Sequence, residues 1–143
     1  MTRGFTLIEL AVTLFVLSLA ATVVAPSVVT GVETLRARTE AAGIATFLRG
    51  AREQAVTHNR ASEVRVKSDE GIIELRTGDS APATRKLATG VRVTADPAAG
   101  HIITFLPQGL SSGAHLRVEM GGRGYLITVD PLTGRVTTRR LDA

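Results

Sequence analysis

Apolar residues are concentrated in one unbroken stretch near the start of the chain. Residues 5–29 read FTLIELAVTLFVLSLAATVVAPSVV, and Glu9 is the only ionisable residue among them. As a helix this stretch would be about 37 Å long, enough to cross the roughly 30 Å hydrocarbon core of a bilayer. Because Arg3 precedes the stretch, the positive-inside rule predicts a cytoplasmic start and a chain that continues outside the cytoplasm.

The hydrophobic pattern becomes amphipathic over residues 31–60, which predicts that the helix continues. The apolar positions expected on its buried side are Val32, Leu35, Ala42, Ala45, Leu48, Ala51 and Ala55. Two pairs of opposite charge, Arg36 with Glu40 and Arg49 with Glu53, are one turn apart and are expected on solvated faces. The whole helix would have about 54 residues and a length of about 80 Å, which is typical of an assembled rod.

The hydrophobic period changes to two after residue 60, which indicates β-strands. Residues 63–67 and 73–76 alternate on either side of a turn-like sequence, Ser68-Asp69-Glu70-Gly71, and predict a hairpin. Further strands are predicted at residues 91–94, 102–106, 114–120, 125–129 and 135–138, with loops at residues 78–82 and 96–100. The predicted fold class is α+β: one long N-terminal helix, its first half transmembrane, packed on a small, mainly antiparallel β-domain.

The amino-acid composition limits the kinds of functional site that the chain can contain. The chain has 143 residues, 44% of them apolar and 21% charged, which is the range of one compact domain. It has no Cys, so disulfides, thiolate metal sites and Cys nucleophiles are excluded. The net charge of +4 is spread along the chain and aromatic residues make up 3%, which argues against a heavily cationic nucleic-acid wrapper and leaves a modest basic patch open.

One serine motif matches a catalytic pattern. Residues 109–113 read GLSSG, the G-x-S-x-G pattern of a nucleophile elbow, but an alternating strand pattern follows them and no His follows the later acids Asp130 and Asp142. The motif is therefore interpreted as a turn. The three His residues are widely separated, so no metal and no other cofactor is predicted.

Glu9 separates three interpretations of the apolar stretch. An ordinary secretory signal could be cleaved after Ala20, where Ser18 and Ala20 satisfy the small-residue rule. A plain membrane anchor is a second interpretation, but an acid within such a segment costs roughly 2.5 to 3.5 kcal/mol on insertion scales. The third interpretation, in which Glu9 has a functional partner, accounts for its presence.

The residues around Glu9 resemble a known processing signal. Gly4-Phe5-Thr6-Leu7-Ile8-Glu9-Leu10, after a very short basic leader, resembles the prepilin signal of type IV pilins and type II secretion pseudopilins. The resemblance implies that a prepilin peptidase cleaves between Gly4 and Phe5 and that Phe5 becomes an N-methylated N-terminus. It also implies two assembly residues: Glu9, which pairs with the Phe5 amine of a neighbouring subunit, and Pro26, where these proteins carry a proline that interrupts the helix.

Later stretches resemble one group within this family. Residues 48–56 (LRGAREQAV), 105–109 (FLPQG) and 133–135 (TGR) are similar to the group that contains the minor pseudopilin GspH and the minor pilin FimT. The resemblance implies a prepilin leader at residues 1–4, a transmembrane and filament-core helix at residues 5–30 and a periplasmic pseudopilin domain at residues 31–143.

The same resemblance implies a structural protein and not an enzyme. We expect a minor pseudopilin of the type II secretion pseudopilus, which helps export folded proteins across the outer membrane. The expected location is the inner membrane, crossed once, with a short cytoplasmic N-terminus, a periplasmic C-terminal domain and assembly into a periplasmic pseudopilus. The implied partners are other pseudopilins, the prepilin peptidase and the inner-membrane assembly platform.

The alternative is a FimT-like minor type IV pilin that assists pilus assembly or binds DNA in natural transformation. The candidate DNA-binding residues are Arg123, Arg135, Arg139 and Arg140. FimT-like pilins use a Gly-Arg-x-Arg motif, whereas residues 134–137 read GRVT here, so the second arginine is missing. Since DNA affinity depends on the number of phosphates neutralised, nucleic-acid binding is left open but not favoured.

Overall fold

The computed structural model describes residues 5–96 and 101–141, and for residues 23–30 it describes the backbone but not the side chains. The predicted leader with Gly4, most of the predicted loop at residues 96–100, and Asp142 lie outside the described residues. The chain divides into two compact units, residues 1–33 and residues 34–143.

A single helix, α1 (Leu7–Thr57), contains 51 residues. Thr6 caps its first turn, because the Thr6 Oγ1 accepts a hydrogen bond from the Glu9 backbone N–H at 3.3 Å. The helix continues through Pro26, so the expected interruption at that proline is not a break in the helix. A proline removes one intrahelical hydrogen bond, and the other bonds of so long a helix maintain the helical conformation.

The C-terminal end of α1 is closed by a Schellman motif. Asn59 adopts a left-handed conformation with φ of 50°, and its N–H donates to the Val56 carbonyl at 3.3 Å. The Arg60 N–H donates to the Ala55 carbonyl at 3.1 Å. These two bonds satisfy carbonyls of the last turn, and the helix therefore ends slightly before the predicted residue 60.

The first unit presents exposed apolar side chains. Phe5 is 81% exposed and Leu7 is 88% exposed, and other large apolar residues of the first turns of α1 are exposed as well. An apolar surface of this extent marks a contact with another protein or with lipid. Among the residues that the structure describes, no helix is long and apolar enough to cross a membrane.

The second unit contains the β-strands. Those within the described residues are β1 (Ser62–Lys67), β2 (Ile72–Thr77), β3 (Ala83–Lys86), β4 (Arg92–Asp96), β5 (Ile102–Phe105), β6 (Ala114–Met120), β7 (Arg123–Val129) and β8 (Val136–Leu141). They form two antiparallel sheets with strand orders β3-β2-β1-β5 and β4-β6-β7-β8. The predicted hairpin at residues 63–76 is confirmed as β1 and β2, and β8 lies at an edge of the second sheet.

The buried side of α1 differs from the predicted one. The helix contributes to the core Ala37, Ala41, Ile44, Ala45, Leu48, Ala51 and Ala55, which pack with alternate residues of both sheets. Val32 and Leu35 are 43% and 64% exposed, and Ala42 is exposed too, so their predicted burial is wrong. Five of the seven core residues of the helix are alanines, whose small side chains bring the helix backbone close to the sheets.

The predicted pairing of Glu40 on a solvated helix face is also wrong. The Glu40 carboxylate binds Arg85 Nη2 of β3 at 3.3 Å and accepts a hydrogen bond from the Ala88 N–H at 3.3 Å. Gly43 leaves room for the guanidinium, since a Cβ at that position would clash with it. Glu40 therefore connects α1 to β3, a strand that was not predicted.

Candidate docking groove

Three stretches that the sequence singled out meet beside the C-terminal end of α1. One wall of an open groove is formed by α1 residues 49–57, the opposite wall by residues 134–138, and one end by residues 107–109. The volume enclosed is about 910 Å³. We call this feature the α1–β8 groove.

Two glycines allow the walls of the groove to approach each other. Gly134 has a φ of +61° and Gly109 has a φ of +87°, both in the left-handed region that favours glycine. A Cβ at Gly134 would lie within 3.0 Å of both the Gly109 carbonyl oxygen and the Arg52 Nε. Arg52 Nε also donates to the Thr133 carbonyl at 3.1 Å. The side chain of Arg52 is therefore held between the helix and the two turns.

The turn that precedes β8 is ordered by Asp130. Its carboxylate accepts hydrogen bonds from the Thr133 N–H at 2.8 Å, the Thr133 hydroxyl at 2.9 Å and the Leu132 N–H at 3.0 Å. These bonds hold the pKa of the Asp130 carboxyl below its ordinary value, and the two bonds from Thr133 have the largest effect. Ser111, the central residue of the serine motif, donates its hydroxyl to the Asp130 carbonyl at 2.9 Å and so joins the two turns.

The backbone of β8 faces into the groove at alternate residues. The Asp130 N–H donates to the Arg135 carbonyl, so the Arg135 carbonyl points toward the side of β7. Successive residues of an antiparallel strand direct their backbone groups alternately toward and away from the partner strand. The N–H and C=O groups of Val136, Thr138 and Arg140 therefore point away from β7. Arg49 Nη2 of α1 donates to the Val136 carbonyl at 3.2 Å. A side-chain donor thus occupies the place where the amide of a further strand would bind.

Arginines dominate the charge of this region. Arg49, Arg52 and Arg135 line the groove, and a neighbouring depression, which shares Arg49 and Thr138, adds Arg38 and Arg140. Within the described part of the chain, none of these five guanidinium groups lies within salt-bridge distance of a carboxylate. The region is therefore electropositive.

Comparison with protein families identifies the chain. Residues 40–133 match the family described as type II transport protein GspH, and residues 1–25 match the prokaryotic N-terminal methylation motif. The chain belongs to the GspH family. No curated protein sequence matches it.

Solved structures of pilin-like proteins share the fold of this GspH-family chain. It is similar to the type IV minor pilin FimU of Pseudomonas aeruginosa PAO1, with a TM-score of 0.63, 16% identity, and 78% of this chain and 96% of FimU covered. It is also similar to the minor pseudopilin EpsH from the type II secretion system of Vibrio cholerae, with a TM-score of 0.57, 17% identity, and 74% of this chain and 96% of EpsH covered. The fold is the type IV pilin-like one.

The structure brings together only two of the four arginines that the sequence proposed for DNA. Arg135 and Arg140 lie at the groove and its neighbouring depression. Arg139 lies on the opposite face of β8 from Arg140, because successive strand residues alternate, and it lines neither the groove nor the depression. Arg123 lies at the start of β7 beside Arg92, in a separate depression.

The predicted processing and assembly residues lie in the first unit or before it. Phe5 and Glu9 are exposed near the start of α1, Pro26 is within the helix, and Gly4 lies outside the described residues. In the searched part of the chain no group of His, Asp and Glu residues could hold a metal ion. The roles of Gly4, Phe5, Glu9 and Pro26 in processing and assembly belong to the proposal below.

Sequence reasoning missed the helix side of the groove in this GspH-family protein. Arg49 was expected to pair with Glu53, yet it reaches across to the Val136 carbonyl. The signal was present in the spacing of Arg49 and Arg52, which places both on one face of a helix. It could be recognised only once β8 was known to pass that face.

Proposed function

We propose that this GspH-family chain is a minor pseudopilin, a structural subunit of the pseudopilus of a type II secretion system that helps export folded proteins across the outer membrane. The observation that carries the proposal is the presence of both family features in one chain. The GspH match covers residues 40–133 and the methylation motif covers residues 1–25. The pilin-like arrangement of one long helix and antiparallel sheets supports it.

Processing is the first part of the proposal. The prepilin peptidase cleaves between Gly4 and Phe5, and Phe5 becomes the N-methylated start of the mature chain. The methylation motif match supports this processing. The apolar helix at residues 5–30 then anchors the subunit in the inner membrane, with residues 31–143 in the periplasm.

Assembly is the second part of the proposal. Glu9 pairs with the Phe5 amine of the adjacent subunit, because each charge alone is costly in an apolar environment and the pair removes most of that cost. The exposed position of both residues at the start of α1 leaves them accessible to a neighbour. Pro26 interrupts the helix when the subunit is in the filament. The inner-membrane assembly platform adds the subunit to other pseudopilins.

A minor type IV pilin is the second candidate function, favoured by the similarity to FimU. In that case the chain would serve pilus assembly, and in a FimT-like role its arginines would bind DNA. The α1–β8 groove contains Arg135 but also Glu53, which would repel phosphate.

A strain that lacks the chain separates the two functions. We expect loss of exoprotein export, restored by the wild-type chain, with twitching motility and transformation unchanged. Intact-mass analysis of the membrane-extracted chain should show a mature start at N-methyl-Phe5. Normal export together with lost pili or transformation would assign the chain to type IV pili, and a mature start at Ala21 would refute both filament functions.

A further inference from the structure

We propose that the α1–β8 groove binds an extended, acidic polypeptide segment of another protein, which adds as a strand beside β8. The inference rests on the proposed function in that a minor pseudopilin meets other secretion proteins along the filament. It adds the place and the chemistry of that contact.

The first argument comes from the edge of the second sheet. β8 is the last strand of the order β4-β6-β7-β8, and the backbone groups of Val136, Thr138 and Arg140 face away from β7. An extended segment can bind such an edge through main-chain hydrogen bonds. These three residues extend over about 14 Å, which suits a strand of about five residues.

The second argument comes from Arg49. Its Nη2 donates to the outward Val136 carbonyl at 3.2 Å, which shows that this carbonyl is accessible to a donor from the groove side. An arriving strand can donate its own N–H to the carbonyls of β8. Arg49 would then be free to bind a carboxylate of the same strand, and a carboxylate is a stronger partner than a carbonyl for a guanidinium.

The third argument is charge complementarity. Arg38, Arg49, Arg52, Arg135 and Arg140 line the groove and its neighbouring depression, and in the described chain none of them forms a salt bridge. Every salt bridge of the described residues lies elsewhere in the molecule. Acidic side chains at alternate positions of a bound strand would all point to one face, the side on which Arg38, Arg49 and Arg140 lie together. Arg135 lies just before β8 and would attract the strand at its end.

The groove suits a polypeptide better than a nucleic acid. Its walls present the outward carbonyls of β8, the carboxylate of Glu53 and the apolar side chains of Val56 and Pro107. Carbonyl oxygens repel phosphates, whereas the N–H groups of an extended segment bind them. Among the residues of the groove and the neighbouring depression the one aromatic is Tyr125, which is buried and offers no stacking platform for a base.

The test measures binding of short peptides to the full chain in detergent micelles by fluorescence anisotropy. The probes are labelled, capped heptapeptides of Thr in which none, one, two or three alternate positions are Glu, and replicas N-methylated at every second residue. We expect the affinity to rise about threefold with each Glu and to weaken with salt. N-methylation removes the N–H donors, so it should lower the affinity at least about tenfold.

Charge reversal locates the binding site. Arg135→Glu and Arg140→Glu should each lower the affinity about tenfold, because each replaces an attraction by a repulsion. Arg92→Glu is the matched control: Arg92 is an exposed arginine on the opposite edge strand of the same sheet, and its variant should bind as the wild type does.

Three results would overturn the inference. They are no binding of any peptide, N-methylated replicas that bind as tightly as the unmethylated peptides, or a loss of affinity in Arg92→Glu equal to that in Arg135→Glu and Arg140→Glu. A labelled DNA duplex that binds more tightly than the Glu-containing peptides, and that no longer binds Arg135→Glu, would assign the groove to nucleic acid and would also overturn the inference. Failure of the proposed function would show separately, as normal export in a strain that lacks the chain, since the peptide titration does not depend on export.

Discussion

Replacing Gly134 by alanine tests whether close approach of the two turns holds the groove together. Alanine at a φ of +61° is strained, which costs about 1–2 kcal/mol. The new Cβ would also lie within 3.0 Å of the Gly109 carbonyl oxygen and the Arg52 Nε. Relieving such a contact by moving backbone costs about 1–3 kcal/mol more. The free energy of unfolding should therefore fall by about 2–5 kcal/mol in Gly134→Ala.

Gly71→Ala is the matched control, because it carries the same backbone strain without the clash. Gly71 has a φ of +64°, and nothing lies within 4 Å of a Cβ built there. This variant should lose only about 1–2 kcal/mol. Urea unfolding can be followed by the fluorescence of Tyr125, the single tyrosine in a chain without Trp, which lies in the core. Equal losses in the two variants would refute the argument from close approach.

Three further predictions concern the second unit. Asn59→Ala should destabilise the chain by about 1 kcal/mol and Asn59→Gly should not, because the position is left-handed; thermal melts compare the two. Glu40→Ala should cost about 1–3 kcal/mol in urea unfolding, because it leaves the half-buried Arg85 without its carboxylate partner. Asp130 has a lowered pKa in the folded chain, so its contribution is present above the ordinary carboxyl pKa and is lost as the pH falls through the folded value. The stability of Asp130→Asn should accordingly depend less on pH below about pH 4 than that of the wild type, as measured by urea midpoints.

Strands with one buried face were predictable from sequence. The alternation of residues 114–120 gives β6 with the same bounds in the structure, because every second residue packs in the core. β3 was missed because its residues are exposed or half-buried and carry no alternation. It is fixed by pairing with β2 and by the Arg85–Glu40 contact, neither of which a local pattern contains.

The helix was predicted well in extent and less well in orientation. Small residues such as Ala37 and Ala41 are buried although larger ones such as Leu35 are exposed, because the sheets approach the helix backbone closely there. The groove depends on contacts between distant segments, such as that of Arg52 with Thr133. Sequence motifs located its parts, but their meeting depends on tertiary packing.

Export by a Glu9 variant tests the central claim most directly. In a strain that lacks the chain, we would express the wild type, Glu9→Val and the control Glu33→Val, which removes another exposed acid of α1. The measurement is the exported fraction of exoprotein at equal membrane levels of processed subunit. The account predicts normal export with Glu33→Val and loss of export with Glu9→Val, because the neighbour's Phe5 amine loses its counter-charge. Normal export with Glu9→Val would contradict the assembly role of Glu9 and the account built on it.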